Sequence, residues 1–321
     1  MRIDCLNALK LLIEVVSDEI LSRVCDCIVM SGGIDTSFIA AIARRLVKIP
    51  LKGIVVGLEG SVASDLYWGG VVARSLGIEP VYRVYSVQDA LKATDFIVSA
   101  LDTFDPVEVR NDVSVYIALR EAKNMGCRCV YTGDAGDELF AGYSYMHLYR
   151  LDELSAYIKD LSGYMEFSSI SIGRELGIDV YPPLASKRVI DLALEIPPEC
   201  RISPCSLPRG KDILRSLLED LSIPSFARAK EPIERGSGSF MLSQIWASLV
   251  TEELIEKISR ILRPRGKDQA YLLSRYLELK GEPRKVEGVK RCKICGGRVK
   301  RGYCKRCGYY EKAGLPDLLP A

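Results

Sequence analysis

The chain's 321 residues suffice for one large domain or two ordinary ones, and its 48% hydrophobic and 27% charged content is that of a folded soluble protein. No apolar run is long enough to span a bilayer and residues 1–10 lack the pattern of a signal peptide, so membrane-spanning and secreted classes are set aside and a cytoplasmic location is expected. The formal net charge of +2 hides an asymmetry: residues 281–312 hold eleven Lys/Arg against three Asp/Glu, or +8, which leaves 33 minus 39, or −6, for the remainder.

In chain order, residues 6–21 read as an amphipathic helix leading into a short apolar strand at 27–30. A glycine turn follows, then an apolar-periodic run over 38–47. Residues 52–56 are a second strand candidate, 63–76 a helix ending at Gly77, 80–85 a third strand, 109–125 a longer helix ending at Gly126, and 128–132 another β-rich run. Strands alternating with helices predict an α/β fold with a doubly wound parallel sheet, where ligands bind beyond the carboxyl ends of the strands. From about 148 to 280 the pattern is mainly helical, broken by Pro182-Pro183, Pro197-Pro198 and Pro224, and 281–290 reads as a polar linker. The expected organisation is an N-terminal helix over 1–22, a catalytic domain over 23–280 with a helical C-terminal part, and a linker with a small metal-binding tail over 281–321.

Ser31-Gly32-Gly33-Ile34-Asp35-Thr36-Ser37 falls at the first strand–helix turn. Glycines allow close backbone approach, and amides and hydroxyls at a helix N-terminus bind phosphate without a lysine. Asp35 is placed to hold Mg²⁺ against those phosphates. The Gly-Lys-Ser/Thr ending of a Walker A loop is absent. The second signal, Thr132-Gly133-Asp134-Ala135-Gly136-Asp137-Glu138-Leu139-Phe140-Ala141-Gly142-Tyr143, gathers three acids at a strand end, which suits Mg²⁺ shared with substrate phosphates. A plain glycine turn or a solvated acidic loop would account for either motif alone.

The first motif resembles the PP-loop of ATP pyrophosphatases. Together the two resemble the synthetase domain of glutamine-dependent asparagine synthetases and their β-lactam synthetase relatives. Gly57-Leu58-Glu59-Gly60-Ser61, Asp65, 105–110, Lys211-Asp212-Ile213-Leu214-Arg215 and Arg228-Ala229-Lys230-Glu231-Pro232 extend the likeness over roughly residues 20 to 245. The resemblance implies that Ser31, Gly32, Gly33, Thr36 and Ser37 cradle the pyrophosphate part of ATP, with Val56 and Gly57 also on the nucleotide. It implies Mg²⁺ on Asp35 and Asp137, Asp134 beside the substrate, Tyr143 orienting the substrate or a catalytic side chain, and Lys230, assisted by Arg228, stabilising charge on the phosphates. The implied reaction is ATP-dependent activation of a carboxylate as acyl-AMP with loss of pyrophosphate, then attack by ammonia or an amine.

Departures fall on the substrate side. Arg2 follows Met1 and only about 20 residues precede the loop, so a glutaminase is not expected within this chain, and ammonia would come free or from a separate glutaminase. The family's Pro-Phe-Leu-Asp becomes Pro182-Pro183-Leu184-Ala185, and 166–177 lacks the family's lysine-containing sequence, which puts aspartate as the carboxylate in doubt. His147, the sole histidine, is read as structural.

In the tail, Cys292-x2-Cys295 and Cys304-x2-Cys307 have zinc-ribbon spacing, and four thiolates there would bind Zn²⁺ tetrahedrally. Surrounding lysines and arginines, with Tyr303, Tyr309 and Tyr310, suit phosphates and bases, while a folding clip or protein dock suits the same residues. The ribbon also resembles that of tRNA-thiolating ATP pyrophosphatases, which leaves a tRNA-modifying enzyme as one alternative and a non-catalytic nucleotide-binding regulator as another. With no signal sequence, the remaining cysteines, including Cys25, Cys27, Cys127 and Cys129, are expected to be buried or edge thiols.

Overall fold

The computed structural model describes residues 4–203 and 209–311; the ends of the predicted first and last segments, 1–3 and 312–321, lie outside the described residues. Helix α1 (Cys5–Ser22) is capped by Asp4, whose side chain accepts from the Asn7 N–H, and buries the stripe Ala8, Leu12, Val16 and Ile20. There follow β1 (Cys27–Val29), α2 (Ile34–Leu46), β2 (Lys52–Leu58), α3 (Ser64–Ser75), β3 (Glu79–Tyr85), α4 (Val87–Ala100), α5 (Pro106–Asn124), β4 (Cys129–Tyr131) and the single turn α6 (Gly136–Leu139). Next come α7 (Leu151–Ser162), α8 (Ser168–Leu176), β5 (Asp179–Tyr181), α9 (Lys187–Glu195) and α10 (Asp212–Asp220).

The five strands form one sheet in the order β3-β2-β1-β4-β5. β1 pairs in parallel with β2, Cys27 opposite Lys52, and with β4, Cys27 opposite Val130; β4 pairs in parallel with β5. This is the expected doubly wound α/β arrangement, and its strand order reverses between β1 and β4. The loops leaving the carboxyl ends of those two strands are the glycine loop and the acidic motif, so both open into the switch-point crevice. Strand β5 lies inside the stretch read as helical, because three residues are too few to show alternation between helices. Helix α4 carried a legible start signal: Ser86 and Asp89 form a capping box.

The chain divides into two compact units. The first comprises Met1–Val56, Ser64–Arg83 and Ala118–Glu231. Its core is built by α1, α2 and α10, with Leu12, Ile20, Ile28, Phe38 and Ile39 fully buried. The second comprises Gly57–Ala63, Val84–Ile117 and Pro232–Ala321. It adds α11 (Ile233–Gly236), α12 (Leu242–Ser248), α13 (Glu252–Ser259) and α14 (Lys267–Lys280), with α14 packed on α4, α12 and α13 around Trp246, Leu272 and Leu273. It closes with a small antiparallel sheet, β6 (Val299–Lys300), β7 (Tyr303–Cys304) and β8 (Tyr309–Tyr310). No helix among the described residues is long and apolar enough to cross a membrane.

The expectation of free thiols is corrected at six positions. Cys5 is bonded to Cys200, Cys25 to Cys129 and Cys27 to Cys127. Two cysteines at i, i+2 look unremarkable in one short run; the fold brings the chain entering β1 beside the chain entering β4, and the bridges cross between them, which linear spacing does not reveal. The two bridges close nested loops of 104 and 100 residues.

Because either bridge alone keeps that loop closed, Cys27→Ala with Cys127→Ala should cost only about 1 kcal/mol. Replacing Cys25 and Cys129 as well should cost a further 4–5 kcal/mol or so, the chain-entropy value of a loop of about 100 residues. Urea denaturation of the two variants measures both steps, and equal costs for the first and second pair would contradict the nesting argument.

Candidate active site and metal centre

The glycine loop connects β1 to the first turn of α2. Gly32 has φ of +75°, and a Cβ there would come within 2.4 Å of the Trp68 carbonyl carbon, so this position admits only glycine. Gly33 is the N-cap of α2, and its N–H donates to Ser31 Oγ at 3.1 Å. Thr36 Oγ1 donates to the Gly33 carbonyl at 3.3 Å, while Ser37 is fully buried and its hydroxyl has no hydrogen-bond partner among the described residues. The first turn of α2 therefore presents a fixed backbone, hydroxyls and an acid, Asp35, at the positive end of a thirteen-residue helix.

The acidic motif leaves β4 and packs directly on that turn. Ala135 adopts φ of 72°, a left-handed conformation that costs strain outside glycine. At Gly136 a Cβ would lie 2.1 Å from Asp35 Oδ1, so the absent side chain is what lets the Asp35 carboxylate reach the acidic loop. Asp35 and Asp137 are thereby brought to one place, and Lys211 joins them. Its buried ammonium contacts Asp35 Oδ2 and lies 2.8 Å from Asp137 Oδ1. Lys230 Nζ reaches Asp137 Oδ2 at 2.6 Å from the exposed side and stands 5.9 Å from the centre of the Tyr143 ring.

Two carboxylates and two ammonium groups make this cluster neutral. Burial opposes the Lys211 charge, but Asp137 and Asp35 outweigh it and hold its pKa above the usual lysine range. Burial also works against the Asp137 carboxylate, and the two lysines overcome it, leaving its pKa below the usual carboxylate range. Asp35 is pushed up by burial, and its Oδ1 is a buried oxygen without a hydrogen-bond partner among the described residues. A buried carboxylate oxygen of this kind, with the Asp137 carboxylate on the same lysine, is a donor set that fits a divalent cation, and Lys211 occupies part of the same electrostatic niche.

The other predicted residues have specific places. Arg228 is buried and donates to the Ser31 carbonyl at 2.6 Å, Asp65 Oδ1 at 2.6 Å, Ser64 Oγ at 3.1 Å and Glu231 Oε2 at 3.0 Å. It thus ties the glycine loop to α3, and Asp65 is pushed up to about 6 by burial against the pull of Arg228. Asp134 Oδ2 accepts from Thr132 Oγ1 at 2.6 Å and Ser169 Oγ at 2.5 Å, and desolvation raises its pKa. Tyr143 donates to Glu138 Oε1 at 2.7 Å. Val56 and Gly57 lie near the carboxyl end of β2. His147 Nε2 pairs with the Ala141 carbonyl at 3.0 Å, in keeping with a structural histidine. Lys211 received no role from sequence reasoning although it opens the run 211–215. Arg215, one turn along α10, donates to the Phe226 and Arg228 carbonyls at 2.6 and 3.0 Å, so one helix start serves both the acids and the Arg228 segment.

In the second unit, the Cys292, Cys295, Cys304 and Cys307 sulfurs all lie within 4.8 Å of one another. Cys292–Cys307 and Cys295–Cys304 Sγ separations are 3.7 and 3.5 Å, close to the roughly 3.8 Å edge of a tetrahedron with Zn–S bonds of about 2.3 Å. Amides of Ile294 and Gly297 point at the Cys292 and Cys295 sulfurs at 3.4 Å. The donor set fits structural Zn²⁺. The cluster docks on the segment between α4 and α5: Arg306 Nε donates to Asp102 at 2.9 Å, Thr103 Oγ1 to the Lys305 carbonyl at 2.6 Å, and the Phe104 N–H to the Arg306 carbonyl at 2.7 Å. Tyr303 donates to Asp105, so the structure employs one of the three tail tyrosines in docking.

A model of the family described as "Asparagine synthase" matches residues 7–170, a span that includes the glycine loop and the acidic motif. A glutamine-hydrolyzing asparagine synthetase of Triphysaria versicolor is 30% identical over 233 residues, covering 66% of this chain and 39% of that protein. One from Asparagus officinalis is 27% identical over 257 residues, covering 73% of this chain and 43% of that protein. The chain thus spans about two-fifths of the length of the curated relatives it matches. Among solved structures, NMN synthetase from Francisella tularensis is similar with a TM-score of 0.40 and 15% identity, covering 87% of this chain and 95% of that one.

The four-sulfur cluster should bind one zinc per chain, measurable by elemental analysis, and Cys304→Ser should lose it. Metal removal should raise hydrogen exchange at 101–105, the segment on which the cluster docks. Unchanged exchange in zinc-free protein would contradict a metal-dependent dock.

Proposed function

This chain belongs to the asparagine synthase family, and we propose that it is an ATP-dependent ligase that activates a carboxylate as acyl-AMP, releases pyrophosphate, and forms an amide with ammonia or an amine. The observation that carries this reading is the convergence of Asp35, Asp137, Lys211 and Lys230 at the helix turn that bears the glycine loop. The backbone amides and hydroxyls of residues 31–37 bind the β- and γ-phosphates, with Val56 and Gly57 on the nucleoside side. Asp35 and Asp137 would hold Mg²⁺, which would neutralise phosphate charge. As the carboxylate oxygen attacks the α-phosphorus, negative charge accumulates on pyrophosphate, and the Lys211 and Lys230 ammonium groups lie where that charge leaves. Lys211 is the preorganised one, fixed between two acids. Lys230 is exposed and able to follow the departing group.

Arg228 acts here as a positioning residue, since its guanidinium is spent on the Ser31 carbonyl and on Asp65. Asp134 and the Glu138–Tyr143 pair line the substrate side beyond β4. The segment 182–185, where the family's acid is replaced by Ala185, leaves the end of β5 next to them. That replacement supports a carboxylate whose recognition differs from that of aspartate.

AMP and pyrophosphate release should be measured across a panel of amino acids and other small carboxylates, with ammonia and Mg²⁺ present. One member or class should stimulate release. Asp35→Ala should abolish it, and Lys211→Met should lower turnover about a hundredfold or more, the scale of losing a preorganised transition-state contact. Release of ADP in place of AMP, or no carboxylate dependence anywhere in the panel, would sink the proposal.

A further inference from the structure

The zinc-ribbon region presents two chemically different faces within the second unit. One face is consumed in docking: Arg306 is 9% exposed and bonded to Asp102, Tyr303 is bonded to Asp105, and the Cys307 carbonyl accepts from Gln269 Nε2 at 2.8 Å. The other face is built around the Cys292–Cys295 knuckle and faces solvent. It contains a cleft of about 390 Å³ whose apolar lining includes Ile261, Leu262 and Pro283 and whose cations are Lys285, Arg291 and Lys293. These three are exposed and form no ion pair among the described residues; Glu282 is the acid in the lining. The cleft is held in shape by the chain itself. The Val286 N–H donates to the Gly296 carbonyl at 3.0 Å, and the Lys285 stem lies against Gly296. Ile294, at the knuckle tip, is 49% exposed at the edge of the cleft.

A folding clip needs only the first face. The three cations on the second make none of the docking contacts; Glu282 in the lining and Glu311 near Lys293 offset part of their charge. An acidic peptide would satisfy the cations but leave Ile261, Leu262 and Pro283 at the cleft wall uncovered, and a duplex offers no unstacked base to lie against them. An unpaired nucleotide supplies both parts, a flat apolar ring and adjacent phosphates. We propose that this cleft binds single-stranded nucleic acid, with a base against Ile261, Leu262 and Pro283 and backbone phosphates on Lys285, Arg291 and Lys293. The surface lies wholly in the second unit and is independent of the reaction assigned to the first.

The test is fluorescence anisotropy on the full, zinc-loaded chain with labelled 12-mers of uridylate RNA and thymidylate DNA. With three phosphates neutralised, the logarithm of affinity should fall with the logarithm of salt with a slope of about −2, or about 20-fold between 50 and 200 mM. Lys285→Gln, Arg291→Gln and Lys293→Gln combined should weaken binding at 50 mM salt at least about tenfold with zinc content unchanged. Tighter binding of the RNA assigns RNA as the ligand; equal binding assigns single strands of either kind. No binding of either 12-mer at 50 mM, binding indifferent to the triple substitution, or displacement by polyglutamate at equal charge would overturn the proposal.

Discussion

The Lys211 ammonium lies buried between the carboxylates of Asp35 and Asp137, and the first unit is arranged around that contact. Two acids cannot be brought together at the end of a helix without a countercharge, and a buried lysine cannot stay charged without acids. Each therefore makes the other tenable. The three residues come from the start of α2, the turn after β4 and the start of α10, so the ion cluster fixes three elements relative to the sheet. Gly136 permits the approach by having no side chain, and Ala135 accepts a left-handed backbone to deliver it.

The same economy governs the glycine loop. The Ser31 carbonyl is held from outside by Arg228, which is itself held by Asp65 and Glu231 and by the helix start that carries Lys211 and Arg215. The glycine-loop backbone is thus positioned by side chains from outside the loop. In the second unit the segment after α4 is likewise held by distant residues: Arg306 donates to Asp102, Tyr303 donates to Asp105, and the Arg306 carbonyl accepts from the Phe104 N–H.

Much of the first unit was legible because its signals are local. A glycine-rich strand–helix turn, an acidic strand end and their order along the chain are one-dimensional patterns, and each corresponds to a loop at the switch point. β5 and α4 show the limits. β5 is three residues long between helices and presents no period, whereas α4, in the second unit, went unread although Ser86 and Asp89 cap its start. Lys211 was invisible as a site residue because a lysine before a helix is ordinarily a surface group. Only the fold shows that its side chain is buried against two acids.

The cysteines divide along the same line. The sequence by itself determined the grouping of Cys292, Cys295, Cys304 and Cys307, because ligands on two tight knuckles are recognisable by spacing alone. It also determined the alternation that makes a doubly wound sheet, since a strand's and a helix's periodicities are properties of neighbouring residues. Only the tertiary structure decided that Cys25 and Cys27 meet Cys129 and Cys127, that Cys5 meets Cys200, and that Lys211 completes the acid cluster. The bonded cysteines are separated by 100 to 195 residues and Lys211 by 176 from Asp35, and no local period encodes a contact that exists only once β1 lies beside β4 and α10 packs on α2.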